Sequence, residues 1–377
     1  MTKIVLAFDS FKSCMCAKDV CDAASQYISE ILPKAEIINI PLSDGGEGMS
    51  AIYKNHKGGN IRHLYVHNPL MQEIQSEYLI SNDNKTAIIE SANAIGIDLL
   101  KESERNPLYT SSYGVGEMIK DALDMGCRSF IIGLGGSSTN DGGIGMLHAL
   151  NCQILDKNGK NVQCIGKNLD KICTIDTSNM HPALKNSNFT LICDVDNTFC
   201  GKTGAVYTFG KQKGASEEQI KELEAGMYNL ASIVKQKTGL DLTKTQSAGA
   251  AGGLSGAFLA FLKSKRESGI NYILDLVDFD KQIKGADLIL TGEGCADKQT
   301  LYGKVPYGVL QRANKQAIPV ILIAGKIKDV ADLQKLNYKY IKQCTPDSVS
   351  LYKALEPKNA KIHLRKAIID ILNSLGL

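Results

Sequence analysis

"FIIGLGGSSTNDGGIGML", Phe130 to Leu147, passes from an aliphatic run into a loop with five glycines between Gly133 and Gly143, then back into apolar residues. The run is short, β-branched and bounded by glycine, as buried strands are, and the apolar return from about Gly145 reads as a helix start. Strand, loop and helix in that order form the repeating unit of α/β proteins. The arrangement recurs in "KIVLAFDS" from Lys3, "EIINIPLSDGGEG" from Glu36, "FTLICDVDN" from Phe189, "DLILTGEG" from Asp287 and "VILIAGK" from Val320. Each aliphatic run ends in Gly, Ser, Asp or Asn.

Helical patterns fill the intervals. Val20, Ala24, Ile28, Ile31 and Leu32 share one face between Ala17 and Leu32, and Pro33 closes the segment. Ser216 with Gln219 three positions on forms a capping box ahead of Ile220, Leu223, Met227, Leu230 and Val234. Leu364, Ile368 and Leu372 mark a C-terminal helix between Asn359 and Leu375. Buried strands alternating with amphipathic helices predict an α/β fold with largely parallel sheets. Ile61 to Ser91 differs, because it alternates weakly and carries "NPL" and "NDN" turn signals, as antiparallel hairpins do. The expectation is therefore two unlike α/β domains: a discontinuous one, 1–57 plus 285–377, and an inserted domain with a mixed sheet, 58–284.

Composition narrows the function. A chain of 377 residues exceeds the usual single core, and 44% apolar with 22% charged residues is ordinary for a globular protein. A net charge of +3, without a basic stripe or interleaved aromatics, argues against nucleic acid as a partner. No apolar run reaches membrane-spanning length, and "MTKIVLAFDS" enters a strand at once, so a cytoplasmic protein without a membrane partner is expected. Eleven cysteines at irregular spacing, with no CxxC pair, indicate neither a disulfide framework nor a zinc site. Six scattered histidines with no HxxxH spacing leave no foothold for a zinc enzyme or a serine hydrolase.

Ligands in open α/β sheets gather at the carboxyl ends of strands. The polar clusters of this chain sit there: Asp9, Ser10 and Lys12; Asp44 and Glu47; Ser137, Ser138, Asn140 and Asp141; Asp194, Asp196 and Asn197; Thr291, Glu293, Asp297 and Gln299; and Lys326. The loop Gly135 to Gly143 is richer in glycine and hydrogen-bonding side chains than a tight turn requires. Its backbone N–H groups suit a phosphate or a carboxylate. It is neither a Walker A nor a dinucleotide fingerprint. It has some likeness to the glycine-serine loop of GHMP-type small-molecule kinases. "CDVDN" and "TGEGCADKQT" offer the one or two carboxylates that Mg²⁺ takes beside phosphate oxygens. Lys12 and Lys304 lie in Gly/Ser/Asp-rich strand-end segments suited to anion contact, whereas Lys211, Lys213 and Lys298 read as solvated surface charges. Gly249, Gly252 and Gly253 in "SAGAAGGLSGAFLAFL" bring the start of a helix near a nucleotide.

Taken in order, "AFDSFKSC", "PLSDGGEG", "GLGGSSTNDGGIGML", "CDVDNTFCGKTGAVYTFGKQKGAS", "SAGAAGGLSGAFLAFL" and "TGEGCADKQTLYGKVPYGV" resemble the glycerate kinase family of the glycerate 2-kinase type. The resemblance implies ATP- and Mg²⁺-dependent phosphorylation of D-glycerate, with 2-phosphoglycerate the favoured product. It also implies one flavodoxin-like domain with a mostly parallel sheet and one domain resembling restriction-endonuclease folds, with the reaction in a closing cleft between them. Phe8, the "SCMC" segment and Cys295 depart from the family's usual Pro, Gly-Ser-Leu and Arg. On this basis Asp194, Lys12 and Asp297 are expected to be catalytic, with Asp194 the first choice of base. Ser10, Asp44, Gly135, Gly136, Ser137, Ser138, Asn140, Asp141, Gln299, Thr300 and Lys304 are expected to bind substrate or phosphate. Gly249, Gly252, Gly253 and Gly292 are assigned to the nucleotide, and Asp194, Asp196 and Glu293 to the metal. A non-catalytic hydroxy-acid binder and a kinase for another sugar acid are the alternatives.

Overall fold

The computed structural model describes residues 2–11, 13–46, 48–298, 300 and 303–376. Lys12, Glu47 and Gln299, three of the expected strand-end residues, lie outside the described residues. The chain forms two compact units, Met1–Asp44 with Ser268–Leu377 and Gly45–Glu267. These limits differ from 57/58 and 284/285 for a packing reason. Helix Met49–Lys57 lies on strands of the second unit, and helix Gly269–Leu276 packs on helix Val305–Asn314 of the first.

The first unit holds β1 (Lys3–Phe8), β2 (Glu36–Asn39), β11 (Leu288–Ala296), β12 (Val320–Ile327) and β13 (Tyr340–Gln343). All neighbours are parallel, in the order β13-β12-β11-β1-β2. Counted within the unit, this is the flavodoxin-like 2-1-3-4-5 order, with its switch point between β1 and β11. Ile4 to Phe8 are fully buried, as a strand covered on both faces requires. Ile4, Leu6 and Phe8 share a core with helices Ala17–Ile31 and Pro357–Ser374. Helix Val305–Asn314 contacts β11 and β1. Phe8 pairs with Gly292, so the chain leaves β1 at Asp9 while β11 continues to Glu293.

The second unit carries β3 (Asn60–His67), β4 (Glu73–Ile80), β5 (Thr86–Glu90), β6 (Ser129–Gly133), β9 (Asn188–Ile192) and β10 (Ser264–Glu267) in the order β10-β9-β6-β5-β4-β3. The first four of that order run parallel, and β3, β4 and β5 pair antiparallel, as the turn signals predict. Asn68 Oδ1 accepts from the N–H groups of Leu70 and Gln72 and closes the first hairpin. A small ribbon of β7 (Gln153–Leu155) and β8 (Thr174–Asp176) lies apart from this sheet. The capping box forms as read: Ser216 accepts from Gln219 N–H at the head of helix Glu217–Thr238. No helix among the described residues is long and apolar enough to cross a membrane.

Candidate active site

The switch point of the first unit opens into a cavity of about 580 Å³, a size usual for small-molecule sites. Asp9, Ser10, Asp44, Glu293, Asp297 and Lys304 line it, together with Lys326 and a wall from Cys344 to Ala360. Five of these, Ser10, Asp44, Glu293, Asp297 and Lys304, were expected site residues, drawn from three separate segments. Glu293 is only 5% exposed. Thr300 Oγ1 donates to its Oε1 at 2.6 Å and Lys304 Nζ to its Oε2 at 3.0 Å. Lys304 Nζ also lies 3.6 Å from Asp297 Oδ1, and Asp297 N–H donates to Thr300 Oγ1. Burial pushes the Glu293 carboxyl above its ordinary range against the pull of Lys304. For Lys304, burial favours the neutral amine, but the Glu293 carboxylate outweighs it and the ammonium is held. Gly292 leads into this network, and a Cβ there would stand 1.8 Å from the Ile323 carbonyl oxygen of β12.

In the second unit, the glycine loop leaves β6 and enters helix Ile144–Ala149. Gly135 and Gly136 are exposed at its rim, while Ser137 to Gly143 are buried. Ser138 donates through both N–H and Oγ to the Ile95 carbonyl. Asp141 is fully buried: its Oδ2 accepts from Ser112 N–H, Ser112 Oγ and Gly145 N–H, and its Oδ1 from Gly143 N–H. Its carboxylate therefore shapes the loop from within. Asn140 is also fully buried, and its Nδ2 and Oδ1 have no hydrogen-bond partner among the described residues, nor has Thr139 Oγ1. Such groups ordinarily cost about 1–3 kcal/mol each when left so.

The structure corrects one reading outright. Lys213, expected in solvent, is 6% exposed and reaches the loop, donating to Ser137 Oγ at 3.1 Å and the Thr139 carbonyl at 2.7 Å. Burial lowers its pKa to about 7, with Asp141 opposing. The turn that inserts it ends at Gly214, whose φ of +93° and approach to the Arg105 carbonyl, 2.1 Å from an added Cβ, exclude a side chain. "KQKG" thus held a signal, a lysine ahead of an obligatory glycine, but hydropathy alone reads it as surface. Lys211 and Lys298 do lie exposed, paired with Glu217 and Asp332.

Asp194 and Asp196 follow β9. Asp194 is half-buried, while Asp196 is exposed and bound by the Arg266 guanidinium at 2.6 Å. No cluster of three or more His, Cys, Asp or Glu suited to a metal occurs among the described residues. Asp196 is paired with an arginine, and both carboxylate oxygens of Glu293 are already hydrogen-bonded. Gly252, at φ +65°, stands where a Cβ would lie 2.0 Å from the Thr139 carbonyl, so its segment is welded to the glycine loop; Gly249 and Gly253 abut Thr198 and Phe199 in the same way. At each of these three positions an added Cβ would lie closer than 3.0 Å to a neighbouring atom.

Residues 4–375 match the model of the glycerate kinase family. The chain is 45% identical to the glycerate kinase of Bacillus cereus over 86% of its length and 85% of that protein. It is 41% identical to the glycerate 2-kinase of Escherichia coli K12 over 87% of its length and 86% of that protein. The crystal structure of a protein assigned as glycerate kinase 2 from Salmonella typhimurium LT2 superposes with a TM-score of 0.83 at 36% identity, covering 100% of this chain and 98% of that one. The chain belongs to the glycerate kinase family.

Proposed function

We propose that this phosphotransferase moves the γ-phosphoryl group of ATP to D-glycerate, with Mg²⁺, and that the product is 2-phosphoglycerate. The observation that carries the reading is the Glu293–Thr300–Lys304–Asp297 network at the switch point, beside a cavity of about 580 Å³, in a chain whose family uses ATP as co-substrate. Lys304 supplies positive charge for phosphate oxygens, and the buried Glu293 keeps it charged and in place. Ser10, Asp44, Thr300 and, by sequence, Lys12 and Gln299 complete that side.

The glycine loop of the second unit supplies N–H groups and hydroxyls to an anion at its rim. Asp194, after the neighbouring strand β9 of the sheet, accepts the proton of the attacking hydroxyl and would help hold Mg²⁺, which when bound neutralises charge on the phosphates. Gly249, Gly252, Gly253 and Gly292 shape the nucleotide side.

Coupled detection of ADP with D-glycerate and Mg²⁺, followed by phosphorus NMR of the product, tests the reading. ADP release dependent on D-glycerate and a resonance for the 2-phosphate are expected. ATP hydrolysis indifferent to D-glycerate refutes the activity, and a 3-phosphate refutes the regiochemistry. Asp194→Asn with near-normal turnover refutes the choice of base.

A further inference from the structure

We propose that Lys213 is a positioning residue for the carboxylate of the acceptor: its buried ammonium orients the Ser137 hydroxyl to donate to a carboxylate held at the rim of the glycine loop. An ammonium has only donors. Because Lys213 Nζ donates to Ser137 Oγ at 3.1 Å, that oxygen accepts, and its own proton is directed elsewhere. No acceptor for it is found among the described residues of the protein. Gly135 and Gly136, the neighbours of Ser137, are the exposed part of the loop, so the hydroxyl stands where the buried segment meets the rim.

Charge identifies the ligand class. Among the described residues, Lys213 is the only buried lysine, and none of their carboxylates lies within 4.0 Å of its Nζ. Asp141 acts on it at longer range, but the oxygens of Asp141 are already taken by four donors. A buried lysine without a close counter-ion gives up its proton readily, and one bound negative charge would hold it as the ammonium. The surroundings are rich in donors: Asn140, fully buried, and Thr139 Oγ1 both lack partners among the described residues. One buried positive charge balances a monoanionic carboxylate, whereas a triphosphate would leave several charges uncompensated beside a dry segment. The loop therefore reads the acid group of the acceptor, and the phosphates fall to the lysines of the first unit. This rests on the glycerate reading, since D-glycerate carries the carboxylate.

The test is titration calorimetry of D-glycerate, and separately of ATP with Mg²⁺, on the full chain as wild type, Lys213→Met, Ser137→Ala and the double variant, with steady-state kinetics and thermal unfolding in parallel. Lys213→Met should weaken D-glycerate about 10- to 100-fold, the loss typical of a charge-assisted hydrogen bond. Its KM for D-glycerate should rise while kcat and the ATP affinity stay within about threefold, since a ground-state contact is removed. Ser137→Ala should weaken D-glycerate in the same direction, and the double variant should bind no worse than Lys213→Met, because the two side chains act as one unit.

Weakened ATP binding with D-glycerate unchanged would assign the loop to phosphate and overturn the inference. Effects that multiply in the double variant would overturn it too, by making Lys213 independent of Ser137. If Lys213→Met does not fold, Ser137→Ala, which removes one hydroxyl, decides: unchanged D-glycerate affinity overturns the inference. A wild type that binds and phosphorylates D-glycerate while the variants match it refutes the role of Lys213 alone. A wild type that does neither refutes the glycerate reading itself.

Discussion

Asp141 offers the sharpest test of how the glycine loop is built. Removing its carboxylate by Asp141→Ala orphans three buried backbone N–H groups, those of Ser112, Gly143 and Gly145, and the Ser112 hydroxyl. The hydroxyl can turn, but the N–H groups cannot. At about 1–3 kcal/mol for each unsatisfied N–H, the loss is about 2–6 kcal/mol once one site is credited to a trapped water. Little room exists for more water, because a Cβ added at Gly145 would stand 2.3 Å from Ser111 Oγ and 2.7 Å from Tyr113 N. Asp141→Asn keeps the shape. With its carbonyl in the Oδ2 position it retains three bonds and turns its amide against Gly143 N–H, for about 1–3 kcal/mol. Urea unfolding monitored by tyrosine fluorescence, possible because the chain has 14 Tyr and no Trp, should rank wild type above Asn above Ala, in the transition of the second unit. Stability of Asp141→Ala within about 0.5 kcal/mol of wild type, together with lost turnover, would refute the internal role and return Asp141 to the substrate.

Three further outcomes follow from the same contacts. Because folding lowers the Lys213 pKa to about 7, the unfolded chain carries a proton that the folded chain lacks from there up to about 10.4, and Lys213 makes stability rise with pH across that window. The stability difference between wild type and Lys213→Met should therefore move in favour of wild type by up to about 1.4 kcal/mol per pH unit between pH 7 and about 8.5, measured by urea midpoints; subtracting the two removes the opposite contribution of buried thiols such as Cys164, whose pKa is raised by burial. A pH-independent difference would refute it. Lys304→Met strands the buried Glu293 carboxylate with Thr300 alone, which should cost about 3 kcal/mol in the first unit's transition and be largely restored by adding Glu293→Gln. Gly252→Ala brings a Cβ to 2.0 Å from the Thr139 carbonyl at a φ of +65°, and a loss of about 2–4 kcal/mol in thermal unfolding is expected, with kcat/KM falling alongside because the glycine loop must shift.

Much of the architecture was legible because local chemistry and tertiary demand agree. Ile4 to Phe8 are apolar at every position, which only a strand buried on both faces tolerates, and Asn68 closes its hairpin with its own side chain. The strand-end positions of Ser10, Asp44, Glu293, Asp297 and Lys304 could likewise be read from aliphatic runs that break into polar residues. Their convergence on one cavity follows from the 2-1-3-4-5 strand order, which joins residues nearly three hundred positions apart.

Sequence by itself determined the α/β layering, the mixed sheet and the set of polar segments, because strand and helix periodicities and glycine breaks are local properties. Only the tertiary structure decided what each polar side chain meets. Asp141 turns inward to four donors, Asp196 pairs with Arg266 and Lys213 lies buried against Ser137. The physical reason is that a charge at a loop has no intrinsic preference for solvent or protein until distant backbone arrives. The Gly214 turn against the Arg105 carbonyl carries Lys213 inside, and no pattern within "FGKQKGAS" encodes that carbonyl.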